Sequence, residues 1–77
     1  MRDREISERE LEHLKKVYPA GTRVELVHMD DPYTKLKPGL KGTVKVIDDM
    51  GTIFVAWDNG SRLGVVYGVD RIRKINE

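Results

Sequence analysis

Cysteine is absent from this 77-residue chain. That removes disulfide frameworks and thiolate metal centres, and it fits a reducing compartment. No apolar run approaches the ~18 residues of a membrane-spanning helix, and the charged start MRDRE does not read as a signal peptide, so a cytoplasmic protein is expected. Aromatic residues are scarce, with one Trp, one Phe and three Tyr. An excess of either charge is also missing. Fourteen basic residues face thirteen acidic ones for a net charge of +1. Residues 1–21 balance at five of each sign, so residues 22–77 carry the difference. Dedicated nucleic-acid binders ordinarily carry a marked basic excess, which limits that class here to a local patch. There is no repeat, no low-complexity tract and no long linker. A chain of this length holds one core and buries roughly 60% of its unfolded surface, which leaves little room for a deep, dry cavity.

Catalytic constellations are missing too. Ser7 and Ser61 are the only serines, the first placed as a helix cap and the second in a turn; His13 and His28 are the only histidines. There is no Gly-x-Ser-x-Gly, no phosphate-cradling glycine loop with its Lys, and no His-Glu pair at zinc spacing. Glu10 and His13 lie three apart, and His28 neighbours Asp30 and Asp31, but neither group has a further ligand in view. Asp30-Asp31 and Asp48-Asp49 fall in polar loops, whereas a hydrolase needs paired carboxylates in a dry cleft to separate their pKa values. The expectation is a protein with no enzymatic activity, no cofactor and no metal.

What is present begins with a helix. Ile6-Ser7-Glu8-Arg9-Glu10-Leu11 offers Ser7 and Glu10 as a capping box, with Ile6 and Leu11 as a hydrophobic staple. Acidic residues fill the first turn and Lys15-Lys16 the last, both favourable to the helix dipole. Leu11, Leu14, Val17 and Tyr18 form one narrow apolar stripe, and Pro19 ends the run because the residue before proline is pushed out of the α region. The helix is expected at about 8–18, within a segment 1–20.

From there the period changes to two, and residues 21–77 read as a β unit. Strands are expected at 22–29, 43–48, 52–58, 61–67 and 71–75, with turns at Asp48-Asp49-Met50-Gly51 and Asp58-Asn59-Gly60. Five strands in so few residues do not make a full two-sheet sandwich, but they do make a small, strongly bent barrel. Alternation sends Val24, Leu26, Val44, Val46, Ile53, Val55, Trp57, Leu63, Val65 and Ile72 inward. Val27, Phe54, Ala56 and Val66 remain outside, and the helix stripe of Leu11, Leu14 and Tyr18 is the expected cover for them. The fold class is therefore mostly β, with one N-terminal amphipathic helix packed on the barrel's outer wall.

The spacing of Gly21, Val24 and Leu26, then Gly39, Gly42 and Val44, resembles small SH3-like barrels of the KOW and Tudor kind. The stretch GTVKVIDDMGTIFVAWDNGS, with Tyr67, Gly68 and Asp70 after it, resembles the Mib/Herc2 type of SH3-like domain. Over residues 21–75 the chain is most similar to an uncharacterised SH3-like family carried by bacteria, their phages and mobile elements. The loop DDPYTKLKP stands where Mib/Herc2 domains have a long Trp-rich loop. The resemblance implies an SH3-like barrel that acts as an accessory factor, docking on a nucleic-acid enzyme of the element or host, or inhibiting one.

Candidate binding residues follow from charge and aromatics. Tyr33, Lys35, Lys37, Lys41, Arg62 and Tyr67, with Lys45 beside them, are placed to line one rim, cations for an anionic partner and tyrosines flanking a shallow groove. The alternative for the lysines is a solvated loop that guards an edge strand. Trp57 shares the phase of Val55, which favours a core indole bonded to a loop carbonyl over an open aromatic pocket. A protein partner is expected ahead of nucleic acid, with a KOW-like nucleic-acid-binding domain as the second reading. The chain is expected to be a monomer or a weak homodimer with no membrane association.

Overall fold

The computed structural model describes residues 6–30 and 36–76. Helix α1 (Glu8–Val17) is followed by strands β1 (Arg23–His28), β2 (Lys41–Ile47), β3 (Thr52–Trp57), β4 (Gly64–Val66) and β5 (Arg71–Lys74). All pairings are antiparallel in one sheet of order β4-β3-β2-β1-β5. Four strands run as a meander, and β5 returns to the far side of β1. The short link between the two edge strands forces the sheet to curl. Five Cα steps from Val66 to Arg71 reach at most about 17 Å, less than the ~19 Å across a flat five-stranded sheet. The sheet nevertheless stays unclosed, with β4 and β5 as its edges, so it is barrel-like only approximately.

The helix forms where its capping signals sit. Glu10 N–H donates to Ser7 Oγ at 3.1 Å, and Ser7 N–H donates to Glu10 Oε1 at 3.0 Å. Tyr18 is the C-cap, directly before Pro19. Leu14 is 7% exposed and belongs to the same buried cluster as the strand residues, with Ile6, Leu11 and Tyr18 packed against it. Thus helix and sheet share one core. The residues that the stripe was expected to cover are left open, however: Val27, Phe54 and Val66 are all exposed.

Val24, Leu26, Val44, Ile53, Val55, Trp57 and Val65 are buried, and Ile72 packs partly buried against them. Trp57 donates its Nε1–H to the carbonyl of Leu63 at 2.9 Å, so the indole is both buried and satisfied. Two residues expected inside are outside. Val46 is 57% exposed because β2 carries a bulge: Val44 pairs with Val55 and Val46 with Phe54, leaving Lys45 as the extra residue. A bulge shifts the alternation by one, so Ile47 turns inward instead. Leu63 is exposed because β4 begins only at Gly64. Before it, Ser61 N–H donates to Asn59 Oδ1 and Leu63 N–H to Ser61 Oγ, local bonds that compete with a ladder.

Asp70 ties the open ends together. Its Oδ1 accepts from the N–H of Asp30 just beyond β1 at 2.8 Å, and its Oδ2 from Val66 N–H in β4 at 2.9 Å. The turn between β4 and β5 is closed by N–H bonds from Val69 and Asp70 to the Val66 carbonyl.

Candidate functional site

Of the expected rim, Tyr33 and Lys35 lie outside the described residues. Lys37, Lys41 and Arg62 are exposed and gather at one end of the sheet. Lys37 begins the turn that leads into β2, its carbonyl accepting from Leu40 N–H. Lys41 opens β2 beside Asp58, whose N–H donates to its carbonyl at 2.9 Å, and Arg62 follows in the connection after β3. Lys45 is exposed at the bulge. Tyr67 is elsewhere. Thr52 pairs with Val66, so Tyr67 sits beyond the start of β3, at the opposite end from Arg62.

There Tyr67 meets the helix, its hydroxyl donating to Glu10 Oε2 at 2.9 Å. Glu10 therefore caps its own helix with one oxygen and holds the β4–β5 turn with the other. The Ser7 backbone N–H, then the Tyr67 hydroxyl and the Ser7 hydroxyl, hold the Glu10 carboxyl below its ordinary range. The same carboxylate pushes the Tyr67 phenol up. Lys15 adds a distant pairing to Asp49 at 3.9 Å, an exposed contact of small energetic consequence.

The outward face of the sheet divides into two halves. Its charged half runs across β5, β1, β2 and the end of β3. Arg23 donates Nη1–H to Thr43 Oγ1 at 3.0 Å and to Asp58 Oδ1 at 2.9 Å, and Nη2–H to Asp58 Oδ2 at 2.7 Å. That fork holds the Asp58 carboxyl below its ordinary range. Glu25 pairs in register with both Lys41 and Arg73, and accepts from Arg73 Nη2 at 2.6 Å. Sequence reasoning missed this ladder, because opposite charges far apart in the chain become partners only once the register is known.

The other half is apolar; alternation places Phe54 and Val66 there, while Val46 joins them only through the β2 bulge. Val46 pairs with Phe54, Phe54 with Gly64, and Thr52 with Val66, so the three large side chains are neighbours across β2, β3 and β4. Phe54 is 38% exposed and Val66 44%. The Phe54 ring lies against Gly64: a Cβ there would sit 3.5 Å from two ring atoms and 2.8 Å from Thr52 Cγ2.

Among the described residues, no three His, Cys, Asp or Glu side chains group as metal ligands, and no helix is long and apolar enough to cross a membrane. Neither the curated proteins nor the solved structures contain a match to the chain. Residues 7–75, the capped helix as well as the sheet, match the family described as Domain of unknown function (DUF4314). That match spans most of the chain, and the protein therefore belongs to the DUF4314 family.

Proposed function

We propose that this domain is a non-enzymatic binding module whose partner is a protein, docked on the outward face of β2, β3 and β4. The observation that carries this reading is the uncovered patch of Val46, Phe54 and Val66. A chain this small has little apolar material to spare, and leaving three adjacent large side chains in water costs stability unless a partner covers them. The strand order and the SH3-like motifs support an SH3-like adaptor, and the lack of cysteine fits work in a reducing compartment. The resemblance to proteins of bacteria, phages and mobile elements supports an accessory or inhibitory role toward an enzyme of the element or host. Lys37, Lys41 and Arg62, exposed at one end of the sheet, then act as a cationic rim beside that face.

Capture of a partner from the producing cells, with nuclease added, tests this. Phe54→Lys is expected to abolish nuclease-resistant capture while leaving the melting temperature nearly unchanged, because the residue lies at the surface. Capture that ignores Phe54→Lys removes the proposed face. The second reading, a nucleic-acid binder using the exposed cations Lys37, Lys41 and Arg62, is favoured instead if capture disappears with nuclease and oligonucleotide binding weakens steeply with salt.

A further inference from the structure

β5 is an edge of the sheet, and its hydrogen-bonding parity leaves one side of it open. Ile75 N–H donates to the Arg23 carbonyl at 3.0 Å, and Glu25 pairs with Arg73. In an antiparallel ladder, alternate residues exchange bonds with the neighbour, so Arg73 and Ile75 face β1. The N–H and C=O groups of Ile72 and Lys74 then point away from β1, with no strand beside them among the described residues. Two surface hollows flank this edge. One, of about 580 Å³, is bordered by Lys41, Arg73 and Lys74. The other, of about 680 Å³, is bordered by Arg71, Val27 and Val69. Cations dominate the first, whereas the second sets Arg71 beside Asp30. Among the described residues, the acidic groups on their borders are Glu25, which Arg73 already engages at 2.6 Å, and Asp30.

We propose that β5 accepts an extended, acidic segment of a partner protein as a sixth strand. Peptide groups on an open edge are satisfied best by another peptide backbone. A phosphodiester chain has no N–H groups along its backbone to offer the Ile72 and Lys74 carbonyls, which favours a polypeptide over nucleic acid. Arg71, Lys74 and Lys41 select Asp and Glu on the incoming strand, and Val27 and Val69 receive an apolar side chain at its other end. The proposal rests on the protein-binding reading for the class of partner, but it uses a different surface from the Phe54 patch.

The test titrates the whole chain at low salt with a labelled, end-blocked peptide alternating Glu and Val, its Lys-for-Glu counterpart, and a poly-dT strand. The acidic peptide is expected to bind, the basic one not, and amide hydrogen exchange to slow at Ile72 and Lys74. Lys74→Gln, which removes one cation, is expected to weaken binding about threefold. Lys74→Pro also deletes the outward N–H while sparing the β1 ladder, and is expected to weaken it about tenfold more. Preferred binding of poly-dT, unchanged exchange at Ile72 and Lys74, or equal affinities of the Gln and Pro variants would each overturn the proposal. The exchange measurement uses the unaltered chain, so it decides even where the proline variant does not fold. Failure of the peptide with Phe54-dependent capture intact overturns this edge alone and leaves the protein-binding reading standing.

Discussion

At Gly42 the lack of a side chain decides how closely β2 approaches the indole of Trp57. A Cβ there would lie 2.6 Å from Val55 Cγ1, 2.8 Å from Trp57 Cε3 and 3.0 Å from the Ala56 carbonyl, inside any real contact distance. Neither neighbour has room to yield, since Val55 and Trp57 are both buried. Gly42→Ala is therefore expected to destabilise the domain by about 1–3 kcal/mol through overpacking. Urea unfolding at neutral pH measures this, and an unchanged midpoint would refute the close approach. In the sequence Gly42 reads as one of two glycines bracketing a strand entry. Its partner in contact was hidden, because Trp57 comes opposite only through the β2–β3 register.

The helix is an element whose existence the chain announces and whose place it does not. Cap, staple, dipole charges and Pro19 all lie between Ile6 and Pro19, and such local signals act on the backbone directly. Which surface the apolar stripe meets depends on a curled sheet assembled from residues far downstream. Leu14 ends in the common core, so Leu14→Glu is expected to lower the melting temperature sharply. Loss of a buried Leu side chain alone costs about 2–5 kcal/mol, and the carboxylate adds its desolvation. An unaltered transition would mean that the helix contributes nothing to the core.

The Glu10–Tyr67 bond links the same helix to the β4–β5 turn, and its pH dependence has a definite sign. The hydrogen bond to Glu10 raises the folded-state pKa of Tyr67. A group with a raised folded pKa contributes stability that is complete below its unfolded value, about 10 for tyrosine, and is lost as pH rises through the folded value. Denaturation midpoints should accordingly fall above about pH 10, and Tyr67→Phe should flatten that alkaline limb while lowering stability at neutral pH. Glu10 runs the opposite way. Its folded pKa is lowered, first by the Ser7 N–H, so its contribution is present above the usual carboxylate range and lost as pH falls through the folded value.

For the whole molecule, the open question of the architecture is how an unclosed sheet holds its edges together. The Asp70 carboxylate supplies one answer, with one oxygen on Asp30 N–H and the other on Val66 N–H. Asn in its place keeps a single acceptor. Asp70→Asn is thus expected to speed amide exchange at Asp30 or Val66 and to lower stability by about 1 kcal/mol, the scale of one lost hydrogen bond. Exchange rates that stay the same at both amides would show that the edges are held by packing alone. In the sequence, Asp70 reads as a cap for its own turn; its second partner lies forty residues away.

Two-residue alternation, the turn glycines and the capped helix determine by themselves that the chain is mostly β with one leading helix. They also name most of the core, from Val24 to Val65, because these signals act between neighbours in the chain. Only the tertiary structure decides that Lys45 bulges and so exchanges Val46 for Ile47 inside, and that Ser61 and Asn59 hold Leu63 out of β4. It alone decides that Tyr67 stands apart from Lys41 and Arg62, and that β5 is an open edge. Leu63 is held out by bonds within its own segment, but the other three share one physical reason. Register, bulges and edges are relations between strands, and they are set by which packing buries the most apolar surface around Trp57, not by any one segment.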